Sequence, residues 1–322
     1  MRLRMGWLIS LLLAPLASWS QDANVTQPVA ELEHLLAAPS MVVSHAQVSR
    51  PAISEDITLR ADVTLGDSPL RVKLRRALPG AEGFNNEPRY ELAAYELQKL
   101  FLQPAEYVVP PTRLRMMPVK ELLPWAPEAR RTFPGADETL VVLQYWLQDV
   151  KTVADVYYAD RFAADAHYAR HIGQLNILTY LIGHRDSNPG NFLIGRQETG
   201  TRVFSVDHGV AFGSEGSDRG ELWRSMRVDR LPADAVERLR ALTPEELEQK
   251  LGVLAQWRLV EGHFEPVEPG ENVGTTRGVR RKDDVLQVGL TRVEIGSLSR
   301  QLRQLLNRID RGAITTVPAP AN

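Results

Sequence analysis

Cysteine is missing from all 322 residues, which removes disulfide scaffolds, thiolate zinc sites, cysteine nucleophiles and an acylated lipoprotein cysteine together. The fold must be held by its core alone. A surplus of one charge is missing too. With 38 Lys+Arg against 40 Asp+Glu and a formal charge of -2, no global field draws the chain to nucleic acid or to an anionic membrane. Lysine is scarce, with six in the chain. No internal repeat is visible, and long apolar runs are confined to the N-terminus. There Arg2 and Arg4 precede an apolar run from Met5 to Trp19, with the small residues Ala17, Ser18 and Ser20 at its end, the order of a secretory signal. The run is shorter than the ~20 residues that span a bilayer, and Pro15 interrupts it. Cleavage after Ser20 and an exported location, periplasmic or secreted, are expected, with an uncleaved anchor as the alternative. The composition, 43% hydrophobic and 24% charged, is that of an ordinary globular protein of one large domain or one domain of two lobes.

Residues 21–50 read as a lead-in with a short helix through Glu31, Leu32, Leu35 and Leu36. Ile57, Leu59, Ala61 and Val63 then alternate with polar residues. Gly66-Asp67-Ser68-Pro69 marks a turn, and Leu70, Val72 and Leu74 alternate with Arg71, Lys73 and Arg75, which predicts a hairpin with one basic face. A helix is expected over about 88–102, a strand near 113–117, and a buried strand at the apolar run Leu140–Tyr145. Beyond Leu147 the pattern turns helical. Leu175, Leu178 and Ile182, widened by Ile172 and Leu181, predict a helix from His167 to Ile182 that stops at Gly183. Later helices are expected at 233–241, 244–255 and 295–311, a Gly-, Pro- and Glu-rich surface loop at 262–278, and a flexible tail at 313–322.

The chemistry concentrates after the long helix, in Gly183-His184-Arg185-Asp186-Ser187-Asn188-Pro189-Gly190-Asn191 and in Val206-Asp207-His208-Gly209. Phe192–Ile194 and Val203–Val206 are short apolar strands separated by a turn-rich loop, so they should pair as an antiparallel hairpin. Asn191 enters the first strand and Asp207 leaves the second, which brings an amide oxygen and a carboxylate to one point. Such a pair suits a hard cation, Mg²⁺, that keeps water and phosphate oxygens as its other ligands. Asp186, five residues before Asn191, is close enough to face the same point. A carboxylate for a hydroxyl, with Asn and Asp for a metal, is the constellation of phosphoryl transfer.

On these residues the sequence resembles the protein-kinase-like superfamily, whose catalytic loop reads His-Arg-Asp, four residues, then Asn. His184-Arg185-Asp186 to Asn191 has that spacing. Asp207-His208-Gly209-Val210-Ala211-Phe212 is similar to the Asp-Asn-Gly-x-x-Phe segment of the phosphatidylinositol 3/4-kinase-like and secretory-pathway Golgi casein kinase-like group, and Asn188-Pro189-Gly190-Asn191 resembles the aminoglycoside phosphotransferases. The likeness covers about residues 57–225. It implies an α+β bilobal fold, with a smaller sheet-rich N-lobe at 51–145 and a larger helical C-lobe at 146–312. It also implies a phosphate-binding lysine, for which Lys73 in Leu70-Arg71-Val72-Lys73-Leu74 is the candidate; the alternative is a solvated face shared with Arg71 and Arg75. Glu91 is its preferred partner, since Glu91-Leu92-Ala93-Ala94-Tyr95 resembles the helix of the Golgi group, and Glu87 can substitute. The chain departs from the pattern in having no Ala-Pro-Glu, no Gly-x-Gly-x-x-Gly, and His208 where Phe or Asn is usual. His184 and Arg185 are expected to brace the loop.

The resemblance implies an exported, ATP-dependent phosphotransferase acting on a hydroxyl of a protein, lipid or glycan. Asp186 would serve the acceptor, Asn191 and Asp207 would hold Mg²⁺ or Mn²⁺, and Lys73 with Glu91 would serve the ATP phosphates. A non-catalytic pseudokinase scaffold and a nucleotidyl (AMP) transferase are the alternatives. No transmembrane segment is expected after signal removal.

Overall fold

The computed structural model describes residues 23–49, 57–83, 86–196, 202–213 and 220–320; the expected signal at 1–20 lies outside them. The chain opens with α1 (Val29–Leu36), β1 (Met41–Val48), the hairpin β2 (Thr58–Leu65) and β3 (Ser68–Arg76), α2 (Pro88–Gln98), β4 (Thr112–Pro118), a single turn α3 (Val119–Leu122) and β5 (Glu138–Tyr145). The five strands form one antiparallel sheet in the order β1-β2-β3-β5-β4. Segment 21–50 therefore does more than lead in, because it supplies the edge strand β1. Its edge position explains its faint sequence signature: Val42 and Val48 are exposed at 63% and 48%, so no clean alternation was selected.

The inner strand β5 is buried along its whole length, the expected outcome for a continuous apolar run covered on both faces. Val141 and Leu143 join Leu59, Ala61, Val63, Val72 and Leu74 in one apolar cluster, whereas Leu140 and Val142 join Leu92, Tyr95 and Leu97 of α2 in another. Successive side chains of a strand point to opposite faces. With Val72 and Leu74 of β3 committed to the first cluster, Lys73 and Arg75 must point to the face that α2 covers. The strand period thus carries two cations into the interior.

The rest of the chain runs β6 (Val150–Thr152), α4 (Ala159–Ala164), α5 (Ala166–Ile182), β7 (Phe192–Gly195), β8 (Val203–Ser205), β9 (Arg230–Pro232), α6 (Ala233–Ala241), α7 (Pro244–Leu251), β10 (Ala255–Val260), β11 (His263–Val267), β12 (Val279–Lys282), β13 (Val285–Val288), α8 (Arg292–Asp310) and β14 (Thr315–Val317). Together these elements make an α+β arrangement of helices and antiparallel sheets. α5 begins with Asp165, whose side chain accepts from the Tyr168 amide, and ends at Gly183 with φ 61°. The His184 amide returns to the Thr179 carbonyl at 3.0 Å, the six-to-one bond of a Schellman stop, which favours glycine at that position.

Two expectations are corrected. Part of the anticipated loop at 262–278 is strand: β11 pairs with β10 in a four-stranded sheet ordered β11-β10-β13-β12. Pro266 disguises it, yet β11 is an edge, where a missing N–H costs no ladder bond. The anticipated tail at 313–322 is also partly ordered, because β14 pairs in parallel with β9, Thr316 opposite Leu231, and Ile314 beside it is buried.

Candidate phosphoryl-transfer site

Two layers of the fold meet at the site. From the sheet, β3 delivers Lys73, whose Nζ donates to Glu91 Oε1 of α2 at 2.8 Å. The pair is shielded, with side-chain exposures of 11% and 1%. Of the two glutamates weighed for this role, Glu91 is the partner; Glu87 accepts instead from Arg89 Nε at 3.1 Å. Burial alone would raise the Glu91 carboxyl, but Lys73, His208 and Arg75 outweigh it and hold the group well below the usual carboxylate range.

From the following half, the hairpin of β7 and β8 places Phe192 opposite Ser205 and Ile194 opposite Val203. One step beyond, the Val206 amide donates to the Asn191 carbonyl at 2.9 Å, so the ladder continues to the two residues that flank the site. Asn191 Nδ2 donates to the Asp186 carbonyl at 2.9 Å, fixing the loop between them. The Asp186 carboxylate is buried and accepts from Asn188 Nδ2 at 2.9 Å. Further ties hold the loop: the Arg185 amide donates to the Val210 carbonyl at 3.2 Å and the Ser187 amide to the Gly220 carbonyl at 3.0 Å. Asp207 takes φ 64°, a left-handed conformation that Asp tolerates better than most residues. That turn sends its carboxylate back toward β3, where Asp207 Oδ1 lies 3.6 Å from Lys73 Nζ. Lys73, Glu91 and Asp207 are therefore joined in one cluster, and Asp186 and Asn191 in an adjoining one.

Two residues beyond the expected set also belong to the site. Arg75, which the solvated alternative would place on an exposed basic face, donates from Nη1 to Asp207 Oδ1 at 2.7 Å, and its side chain is 7% exposed. The signal was present in the i, i+2 spacing from Lys73. Arg71, at the same spacing on the other side, is the solvated member, paired with Asp62 at 2.6 Å. His208 is fully buried; its amide donates to Glu91 Oε2 at 3.2 Å, and its Nε2 shares a bond with Ser205 Oγ at 2.9 Å. It joins the hairpin to the Lys73–Glu91 pair through both backbone and ring. His184 packs against it with ring centroids 5.3 Å apart, and burial with the neighbouring His208 lowers its pKa to about 3. It is a neutral brace under the loop.

The chemistry of the donors fits a hard divalent cation. Asn191 Oδ1 is buried with no hydrogen-bond partner among the described residues, and an orphaned buried carbonyl oxygen calls for a counterpart. Asp207, next in the chain after the Val206 that bonds Asn191, is the charged oxygen donor of the expected pair. Among the described residues no group of three or more His, Cys, Asp or Glu can hold a metal ion by itself, so a cation here needs further oxygens from water or phosphate, the habit of Mg²⁺. Compared with protein-family models and with curated proteins, the chain matches none. No helix among the described residues is long and apolar enough to cross a membrane.

Proposed function

We propose that the protein is an exported ATP-dependent phosphotransferase of protein-kinase-like, bilobal architecture, transferring the γ-phosphoryl group to a hydroxyl of a protein, lipid or glycan. The observation that carries the reading is the joining of Lys73, Glu91 and Asp207 in one ion-paired cluster, together with an Asn191 amide oxygen that has no hydrogen-bond partner among the described residues. A five-stranded sheet packed against α2, followed by a half whose five helices stand, among the described residues, beside three smaller sheets, supports the bilobal arrangement.

Lys73, held straight by Glu91, contacts the phosphates as a point charge. Asn191 Oδ1 and the Asp207 carboxylate would hold Mg²⁺ or Mn²⁺, which would supply positive charge to neutralise the phosphate oxygens. Asp186 orients the acceptor hydroxyl and takes its proton. Its loop is pinned by Asn188 and Asn191, so little reorganisation is needed at the moment of transfer. A scaffold without activity has no need of all three of Asp186, Asn191 and Asp207, which favours catalysis over the pseudokinase alternative.

The test is incubation of the purified chain with labelled ATP and Mg²⁺ or Mn²⁺, followed by mass spectrometry. A gain of phosphate is expected on the chain or an acceptor; a gain of AMP would assign nucleotidyl transfer, and no product would leave a scaffold. Asp207→Ala should lose nucleotide binding and turnover together. Asp186→Ala should keep nucleotide affinity within a few fold while transfer falls by roughly 10² or more. Equal loss of nucleotide binding in both variants would refute the role given to Asp186.

A further inference from the structure

Asp207 Oδ1 is contested by two cations. Arg75 Nη1 lies 2.7 Å from it and Lys73 Nζ 3.6 Å. The same cations share Glu91 Oε1, Lys73 at 2.8 Å and Arg75 at 3.6 Å. Two positive and two negative side chains therefore share one ion-paired cluster. A phosphate-site lysine and its glutamate explain half of this group. Arg75 is the surplus member, and it donates to the one carboxylate that a divalent cation would need.

A bare divalent cation on Asp207 would meet the Arg75 guanidinium within contact distance, in a pocket where Asp207 is 32% exposed and Arg75 7%. Like charges so placed repel strongly, since little water lies between them. Nucleotide phosphates change that balance. They bring negative charge and several acceptor oxygens, and a guanidinium accepts a phosphate as readily as a carboxylate because its donors match both.

Resting on the phosphotransferase reading, we propose that Arg75 makes cation binding at Asp207 conditional on nucleotide. It withholds the carboxylate from a bare divalent cation and releases it when phosphate oxygens offer the guanidinium another acceptor. Cation and nucleotide then enter as one complex, and Arg75 ends as a second phosphate contact beside Lys73. A purely structural Arg75, one that only props Asp207 in its left-handed turn, would give the opposite sign: its removal would weaken cation binding.

The experiment measures Mn²⁺ binding by electron paramagnetic resonance, without and with a non-hydrolysable ATP analogue, on the full chain and its Arg75 variants. In the unsubstituted protein Mn²⁺ alone should bind at least about tenfold more weakly than Mn²⁺ with the analogue. Arg75→Met should tighten Mn²⁺ alone by about tenfold, the scale of one unit charge removed from beside the ion in a partly solvated site, and should weaken the analogue. Arg75→Gln, which keeps a polar contact to Asp207, should act like Arg75→Met and stands in for it if that variant does not fold. Arg75→Lys keeps the charge and should keep Mn²⁺ alone weak. If the neutral variants leave the affinity for Mn²⁺ alone unchanged or lower, while the unsubstituted protein still binds Mn²⁺ with analogue, the inference about Arg75 fails and the phosphotransferase reading stands. If the unsubstituted protein binds neither, both fail.

Discussion

Removing Lys73 tests the buried pair on which the site is built, and it does so without assuming any activity. Lys73→Met keeps the length and apolar stem of the side chain but leaves the Glu91 carboxylate, 1% exposed, without its 2.8 Å partner. Breaking a buried pair from one side costs about 3 to 5 kcal/mol, because the remaining charge is stranded. Two neighbours soften the loss here: Arg75 Nη1 lies 3.6 Å from the same oxygen and the His208 amide donates to the other at 3.2 Å. We therefore expect the lower end, about 3 kcal/mol. Glu91→Gln should cost a similar amount, since it takes from the buried Lys73 its 2.8 Å carboxylate partner. The double variant should cost less than the sum by about 1 to 3 kcal/mol, the range for residues in one network. Urea unfolding of the four proteins at neutral pH gives the cycle. Its pH dependence adds a second reading. The folded Glu91 carboxyl lies below its unfolded value, so its contribution is present above about pH 4 and is lost as pH falls through the depressed folded value. Lys73→Met should shrink that acid loss. Additivity within about 0.5 kcal/mol, with an unchanged acid limb, would refute the pair as described.

Two further outcomes follow from buried groups around the site. His184 is held neutral by burial and by His208, with a pKa near 3, so the unfolded chain binds a proton that the folded one refuses. Stability should be full above about pH 6.5 and decline below it by about 1.4 kcal/mol per pH unit for this group. His184→Phe should flatten the slope measured by thermal melting, and an unchanged slope would place the titration elsewhere, His171, also lowered to about 3, being the next candidate. In the same first turn of α2 as Glu91, Arg89 donates to both carboxylate oxygens of Glu294 at 2.7 and 2.9 Å, and Tyr90 Oη donates to the same group. Glu294→Ala should destabilise the chain by about 3 kcal/mol and expose the α2 amides to hydrogen exchange; protection retained across α2 would show that the helix is held by its apolar face alone.

How far the sequence can be read depends on whether a residue's environment is local. The hairpin of β7 and β8 was legible because two apolar triplets and a turn leave one pairing, and that pairing sets Asn191 beside Val206. The stop of α5 at Gly183 was legible for the same local reason. Arg75 was not: alternation assigns it to the face of Lys73, but the covering of that face by α2 and the arrival of Asp207, 132 residues later in the chain, are not local signals. β11 and β14 escaped because their partners, β10 and β9, turn short polar segments into strands by pairing and not by any pattern of their own.

The clamp between α2 and α8 also fixes when the site can be complete. Arg89 and Glu294 are 205 residues apart, and Glu294 is at the same time the residue that closes the first turn of α8, accepting from the Thr291 amide at 2.7 Å. A chain that emerges N-terminus first can pair β2 with β3 early, since their contacts are close in sequence. The first turn of α2, which carries Arg89 two residues before Glu91, then waits for α8 before it is tied down. A truncation just short of α8 would remove this anchor while leaving Lys73, Glu91, Asp186, Asn191 and Asp207 in the sequence.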